Sequence, residues 1–274
     1  MPKSLSTLWV DGTLSYIEHI CLRSMLSCGH EVKLYTYGAV FNVPDGIEIL
    51  SAEEILPKEK LIQHKATGSY ALGSNLFRYQ LLRRKDTIWV DTDVFLLKKI
   101  PDSEYIFGWE SGQIINGAVL HMPKDSDLLC DLLNYCNARV FIAPWWPLSK
   151  KIKILIRSFY GADKKVDTVE WGVWGPKAIT FFANRRNVAK FAQQQSVFYA
   201  IPIERAEEIF QPNADVSSLI TEDSLALHFW NEAIKKRKSE MPPKDSLILQ
   251  LCNRIGLDAA DVQQILIRSK ANDD

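Results

Sequence analysis

The sequence predicts an α/β fold built on a largely parallel sheet, and three observations carry that prediction. Short apolar runs rich in β-branched and aromatic residues alternate with amphipathic helical stretches from Leu5 to about residue 137. The connections are short and carry Gly, Asp or Pro. The first three elements read strand, helix, strand, the unit from which parallel sheets are assembled.

Taken in order, Leu5 to Val10 is an apolar strand stopped by Asp11-Gly12. Thr13 to Ser27 reads as a helix, with Leu14, Ile17, Ile20, Cys21, Met25 and Leu26 mostly on one face and Cys28-Gly29 as its stop. Glu31 to Tyr37 is a second strand, and Ile47 to Leu50, after the Pro44-Asp45-Gly46 turn, a third. Ser51 with Glu54 has the spacing of a capping box and predicts a short helix. Ser74 to Arg84 is a helix whose basic end suits its C-terminal dipole. It runs into the strand Thr87 to Leu97, which contains Asp91-Thr92-Asp93. Tyr105 to Trp109 and Ala118 to Leu120 are strands joined by a loop, and Asp125 to Asn137 is an amphipathic helix. Beyond this the character changes. Phe141 to Tyr160 mixes Trp145, Trp146, Phe159 and Tyr160 with Lys150, Lys151, Lys153 and Arg157. Glu170 to Pro176 is a Gly- and Trp-rich loop leading into a helix over Pro176 to Ala192 with Pro in its first turn. Leu225 to Trp230 is a last strand, and Lys235 to Asp274 a basic run with one or two short helices.

Composition narrows the function classes. The chain has 274 residues, 47% hydrophobic and 24% charged, which is ordinary for a globular protein and enough for one large domain or two small ones. Lys plus Arg and Asp plus Glu both number 33, so no overall basic excess points to nucleic acid. The five Cys include no Cys-x-x-Cys pair, which removes zinc spacing and predicts free thiols in a reducing compartment. The N-terminus lacks a signal-peptide stretch, and no run reaches the roughly 18 apolar residues of a membrane span. The expected location is cytoplasmic.

The Asp-x-Asp pair is the strongest chemical signal. Asp91 and Asp93 interrupt a run of apolar β-formers between Trp89 and Phe95. Carboxylates beside such residues need a compensating charge. A hard divalent cation, Mn²⁺ or Mg²⁺, supplies it and shares its coordination with phosphate oxygens, which suggests a nucleotide-diphosphate substrate.

Ser74-Asn75-Leu76-Phe77-Arg78-Tyr79, then Leu81-Leu82, then Trp89-Val90-Asp91-Thr92-Asp93-Val94 resemble glycosyltransferases with a sugar-binding region containing a DXD motif, relatives of the α1,4-galactosyltransferases and yeast α1,6-mannosyltransferases. Gly29-His30-Glu31-Val32, Phe107-Gly108-Trp109-Glu110, Asn116-Gly117-Ala118-Val119-Leu120, Trp174-Gly175-Pro176 and His228-x-Trp230-Asn231 continue the resemblance in order over about residues 5 to 232. It implies a GT-A-type, Rossmann-like mixed and mostly parallel sheet flanked by helices. It also implies a nucleotide-sugar donor, a divalent metal and retention of anomeric configuration. The implied domain covers residues 1–234, with a nucleotide-sugar half to about 137 and an acceptor half to 234, followed by a helical extension over 235–274. Two departures stand out: Asn75 occupies a position usually held by Asp, and Asp86-Thr87 stand where the family usually has Gly-Gly. The first bears on which sugar is taken, since an amide both donates and accepts.

The resemblance assigns residue roles. Asp93 is expected to coordinate the metal, with Asp91 either joining it or contacting ribose or sugar hydroxyls. His228 is the candidate third ligand. Arg78 is expected to hold the diphosphate or sugar, unless it only pairs with Asp91 or Asp93. Asn75, one turn before Arg78, faces the same way. Asn116 and Glu110 line the donor-sugar pocket, with Glu110 a candidate beneath the anomeric carbon. Asn231 is a phosphate or metal contact. Trp9 and Asp11, at a carboxyl strand end, are placed for base and ribose. Glu170, Trp171 and Trp174 belong to an acceptor site or lid. Trp145 and Trp146 with their Lys and Arg neighbours are a candidate peripheral contact with the inner membrane face.

The favoured reading is a retaining hexosyltransferase that uses UDP-galactose or UDP-glucose, ahead of GDP-mannose. Its acceptor is an oligosaccharide or lipid-linked glycan of a bacterial surface polysaccharide such as lipopolysaccharide. The alternatives are an Asp-x-Asp phosphatase or phosphotransferase, a glycosidase with paired carboxylates, and a non-catalytic carbohydrate- or lipid-binding protein. The first is disfavoured by Phe95, where its motif wants Thr or Val. The second is disfavoured because Asp91 and Asp93 share one edge rather than facing each other across a sugar.

Overall fold

A computed structural model describes residues 3–65, 68–160, 166 and 172–271. The N-terminal strand β1 (Ser4–Leu8) is followed by a short β2 (Gly12–Thr13), helix α1 (Tyr16–Ser27) and β3 (Val32–Thr36). Ser15 begins α1 with a capping box: its hydroxyl accepts from the Ile17 N–H, and the Glu18 carboxylate accepts from the Ser15 N–H at 3.0 Å. The helix starts later than the sequence predicts because Gly12–Thr13 pair in parallel with β4 (Val40–Phe41). Strand β5 (Glu48–Ser51) follows, and the expected short helix is a 3₁₀ turn over Ala52–Glu54 with no side-chain cap bond from Ser51.

Helix α2 (Ala71–Arg84) leads into β6 (Thr87–Val90) and β7 (Val94–Leu96). The segment between Tyr105 and Leu120 is a hairpin of β8 (Ile106–Ser111) and β9 (Ile114–His121), longer than the sequence predicts because the expected loop is itself strand. Six strands form one sheet in the order β5-β3-β1-β6-β9-β8. Pairing is parallel from β5 through β6 and antiparallel for β6–β9 and β8–β9. The fold is thus mixed α/β with a mostly parallel sheet flanked by helices, as the alternation of elements predicts. Helices α3 (Asp127–Cys136), α4 (Leu148–Phe159), α5 (Pro176–Arg185) and the short α6 (Gln195–Phe198) follow. Helix α5 ends seven residues before the sequence expectation, because Asn187 turns the chain with φ 56°.

The last strand, β10 (Ala226–His228), pairs antiparallel with β7 rather than joining the main sheet. Asp91-Thr92-Asp93 is therefore the step by which the chain leaves the large sheet and enters a two-stranded one. Helices α7 (Leu247–Arg254) and α8 (Ala259–Ala271) close a core around Phe95, Leu227 and Phe229. Burying a ring such as Phe229 contributes about 1.5–3 kcal/mol. Residues 235–271 are tied to the N-terminal part: Asn42 donates to Ser269 Oγ at 2.8 Å, and Arg254 donates to the Leu97 carbonyl at 3.0 Å. The buried Glu18 carboxylate pairs with Lys238. All five cysteines are free.

Candidate functional site

The site lies where β1 and β6 end. Their parallel pairing, Ser6 opposite Trp89, brings both carboxyl ends to one edge of the sheet. The Asp91 N–H donates to the Ala118 carbonyl of β9 at 2.7 Å, so the Asp-x-Asp turn begins anchored to the neighbouring strand. The Phe229 N–H donates to the Asp93 carbonyl at 2.9 Å, which fixes the turn's far end to the segment after β10. Topology rather than sequence proximity therefore brings His228 and Asn231 to Asp93.

One oxygen of each carboxylate is held by the protein. Asp91 Oδ1 accepts from Arg78 Nη2 at 3.0 Å and from the Trp89 indole N–H at 2.6 Å. Asp93 Oδ2 accepts from the Asn231 backbone N–H at 2.8 Å and lies 3.3 Å from His228 Nε2. Asp91 Oδ2 and Asp93 Oδ1 take no hydrogen bond among the described residues. Asp91, Asp93 and His228 each offer a ligand atom within 4.8 Å of the others, the grouping of that kind found among the described residues. Burial alone would raise the Asp93 carboxyl, but the charge and hydrogen bond of His228 and the Asn231 N–H bring it down to about 2. Burial would lower His228, but Asp93 and then Asp91 hold it above the usual histidine range. Burial and the nearby Asp93 charge raise Asp91 against the opposing pull of Arg78.

Two carboxylates and an imidazole, each carboxylate with a free oxygen, fit a divalent cation of borderline hardness such as Mn²⁺. The His228 proton offsets the same negative charge that such a cation would offset. His228 Nδ1 and Asn231 Oδ1 are buried without a partner among the described residues.

Arg78 is 6% exposed, and both of its terminal nitrogens are used. Nη1 donates to the Gly117 carbonyl at 2.5 Å, Nη2 goes to Asp91, and the guanidinium lies 5.0 Å from the centre of the Trp89 ring. The structure thus gives it the ion pair that the sequence left as the alternative to a direct grip on diphosphate. Asn75 donates to the Ala71 carbonyl at 2.8 Å within its own helix, and Gly175 packs against its amide. Tyr79 donates to the Trp174 carbonyl at 2.6 Å, so this face of α2 supports the Gly-Trp loop. Trp174 itself is a buried core residue rather than an exposed lid. Glu170 and Trp171 lie outside the described residues.

Glu110 and Asn116 meet: Asn116 Nδ2 donates to Glu110 at 2.5 Å, and its carbonyl accepts from the Ala118 N–H at 2.7 Å. Residues 116–118 of β9 thereby hold Glu110, Arg78 and Asp91 in one network. Trp9 and Asp11 leave the sheet at the same edge, and Asp11 pairs with Lys58 at 3.9 Å. The Trp9 indole N–H is buried and unpartnered. Sequence reasoning missed Trp89, Gly117 and Tyr199. Trp89 was legible, because residues two apart on a strand share a face. Tyr199 meets His228 edge to face with ring centres 5.8 Å apart, and no local pattern marks it.

Trp145 and Trp146 pack inward rather than facing solvent. Trp146 is buried, with Lys150 Nζ 3.7 Å from its ring centre, and Trp145 packs against Tyr135 and Phe181. The exposed apolar surface belongs instead to α4. A cavity of about 710 Å³ lies beside α5, lined by Trp145, Lys177, Phe181 and Arg185 among others. It includes none of the carboxylate-site residues.

A mixed α/β fold thus carries an acidic, histidine-supported candidate cation site at the carboxyl edge of its sheet. Part of the chain also matches a known family. Residues 162–255 match the family described as the alpha 1,4-glycosyltransferase conserved region, which supports a glycosyltransferase family for this chain. The matched segment contains His228, Trp230 and Asn231, while Asp91 and Asp93 lie before it. The chain is 23% identical over 203 residues to "Uncharacterized protein At4g19900" of Arabidopsis thaliana, covering 69% of this chain and 28% of that protein. It is also similar to the solved structure "PaToxG Glycosyltransferase", with TM-score 0.44, 10% identity, and 99% of this chain and 85% of that one covered. No described helix is long and apolar enough to cross a membrane.

Proposed function

We propose that the protein is a metal-dependent, retaining glycosyltransferase of GT-A type. In this reading it moves a hexose from a nucleotide-diphosphate sugar, UDP-galactose or UDP-glucose first, to a hydroxyl of an oligosaccharide or lipid-linked glycan in bacterial surface polysaccharide synthesis at the cytoplasmic face. The observation that carries it is the convergence of Asp91, Asp93 and His228 within 4.8 Å, with the family match spanning His228 and Asn231.

Asp93, Asp91 and His228 would hold Mn²⁺ or Mg²⁺. When bound, that cation supplies positive charge opposite the departing diphosphate. The protein's own residues prepare the place. Arg78 and Trp89 hold Asp91 by Oδ1 and leave its other oxygen free for the cation. The Asn231 N–H and His228 do the same for Asp93. We assign Arg78 the role of positioning Asp91, and Asn116 that of positioning Glu110 beside the donor sugar. Trp9 and Asp11 take the base and ribose, and Asn75 acts on the sugar side through its contact with the Gly-Trp loop. With Glu110 engaged by Asn116 and Asp91 by Arg78, front-face substitution is favoured over a covalent glycosyl intermediate.

The test is a thermal-shift screen of nucleotide sugars with and without Mn²⁺, since a ligand bound only by the folded state raises its stability. A UDP-hexose that stabilises the wild type only with metal, and not Asp93→Ala, supports the reading. Stabilisation that ignores both metal and Asp93 would overturn it.

A further inference from the structure

Helix α4 is built the wrong way round for a helix that only packs on its own protein. Its twelve residues bury one side chain, Ile154. Leu148, Ile152, Leu155, Ile156 and Phe159 recur at helical spacing and form a continuous stripe on the solvent side, joined at its end by Tyr160. Phe159 is 88% exposed, Tyr160 79% and Leu148 72%. Soluble surfaces seldom leave so large a contiguous apolar strip without a use. The charges that α4 itself carries are of one sign. Lys150, Lys153 and Arg157 run along one border and Lys151 along the other, and α4 carries no acidic residue. Lys153 and Arg157 form no ion pair among the described residues.

We infer that α4 is an interfacial anchor that lies in the headgroup region of an anionic lipid bilayer. Its apolar stripe would enter the acyl boundary, and Lys153 and Arg157 would meet lipid phosphates, while Lys150 lies over the Trp146 ring and Lys151 donates to the Pro144 carbonyl. The length fits: at 1.5 Å per residue the helix lies along an interface and is far too short to span one. The basic borders decide the occupant. A second copy of this chain would set the same positive charges against each other, whereas an anionic surface complements them. The surface is separate from the carboxylate site, so the inference stands independently of the transferase reading.

The experiment is co-sedimentation of the full chain with vesicles of phosphatidylcholine alone, and of phosphatidylcholine containing one quarter phosphatidylglycerol. Binding to the anionic vesicles is expected to exceed binding to neutral ones by about tenfold and to fall at high salt. Ile156→Glu with Phe159→Glu should abolish it while the melting temperature holds, because both positions are exposed. Lys153→Glu with Arg157→Glu should remove the preference for anionic lipid. Should the first variant fail to fold, Phe159→Trp keeps the test: its fluorescence is expected to shift to the blue on adding anionic vesicles only. Equal binding to both vesicle types, no binding, or unchanged binding by the apolar variant would overturn the inference. So would light scattering that shows a wild-type dimer which Phe159→Glu converts to a monomer, with no vesicle binding by either.

Discussion

At the scale of the residue, the site rests on two carboxylates that the protein grips differently. His228 is held above its ordinary 6.5, and Asp93 is brought down to about 2. The signs give a pH dependence. Stability from the depressed Asp93 is present above its unfolded value and is lost as pH falls toward 2; stability from the raised His228 is present below 6.5 and is lost as pH rises through the folded value. Metal-free protein is therefore expected to melt at a lower temperature as pH climbs from 6.5 to the elevated His228 value. Thermal melts of wild type and His228→Asn across that range check this; an equal slope in both would count against it. Trp89→Phe keeps the ring but removes the indole bond to Asp91. It should cost about 1–3 kcal/mol in urea melts and weaken metal binding, an effect that a merely apolar role for Trp89 would not produce. Asp91 and Asp93 were legible in the sequence because charge inside an apolar run is conspicuous. The indole partner was legible only in retrospect, through the two-residue period of a strand.

At the scale of the element, the decisive feature is β9. Its residues 116–118 touch Glu110, Arg78 and Asp91, and Gly117 has no room for a side chain. A Cβ there would stand 2.7 Å from Ile179 Cδ1 and 2.8 Å from Arg78 Nη1. Gly117→Ala should push Arg78 off Asp91 and destabilise the chain by about 1–3 kcal/mol. Loss of transfer activity exceeding that of Arg78→Lys, measured at a temperature where both remain folded, would fit the positioning role. Full activity would contradict it. Sequence periodicity found the helices α1, α2 and α3 and the parallel strands, because each buries one face against the sheet. It missed the full β8–β9 hairpin, since Glu110 to Gly117 read as a loop where polar and Gly residues interrupt the alternation. It overran α5, where Asn187 turns the backbone by its own conformation.

At the scale of the whole molecule, two sheets meet at the Asp-x-Asp turn, and the second is closed by a C-terminal core. Phe229→Ala in that core should cost about 3–5 kcal/mol and loosen His228 and Asn231 together, because both flank the same buried ring. The sequence could name His228 and Asn231 only through resemblance. The distance of more than a hundred residues between them and Asp93 is bridged by the β7–β10 pairing, a long-range event that no local pattern encodes. The central claim is that Asp91, Asp93 and His228 form one divalent-cation site serving a nucleotide-sugar donor. Mn²⁺ titration followed by electron paramagnetic resonance tests it most directly, with wild type compared against Asp93→Ala and His228→Ala, and with and without UDP. The account predicts one bound ion per chain, tightened by UDP, and lost or at least tenfold weaker in both variants. Mn²⁺ binding that is unchanged in both variants, or absent from the wild type even with UDP, would contradict it.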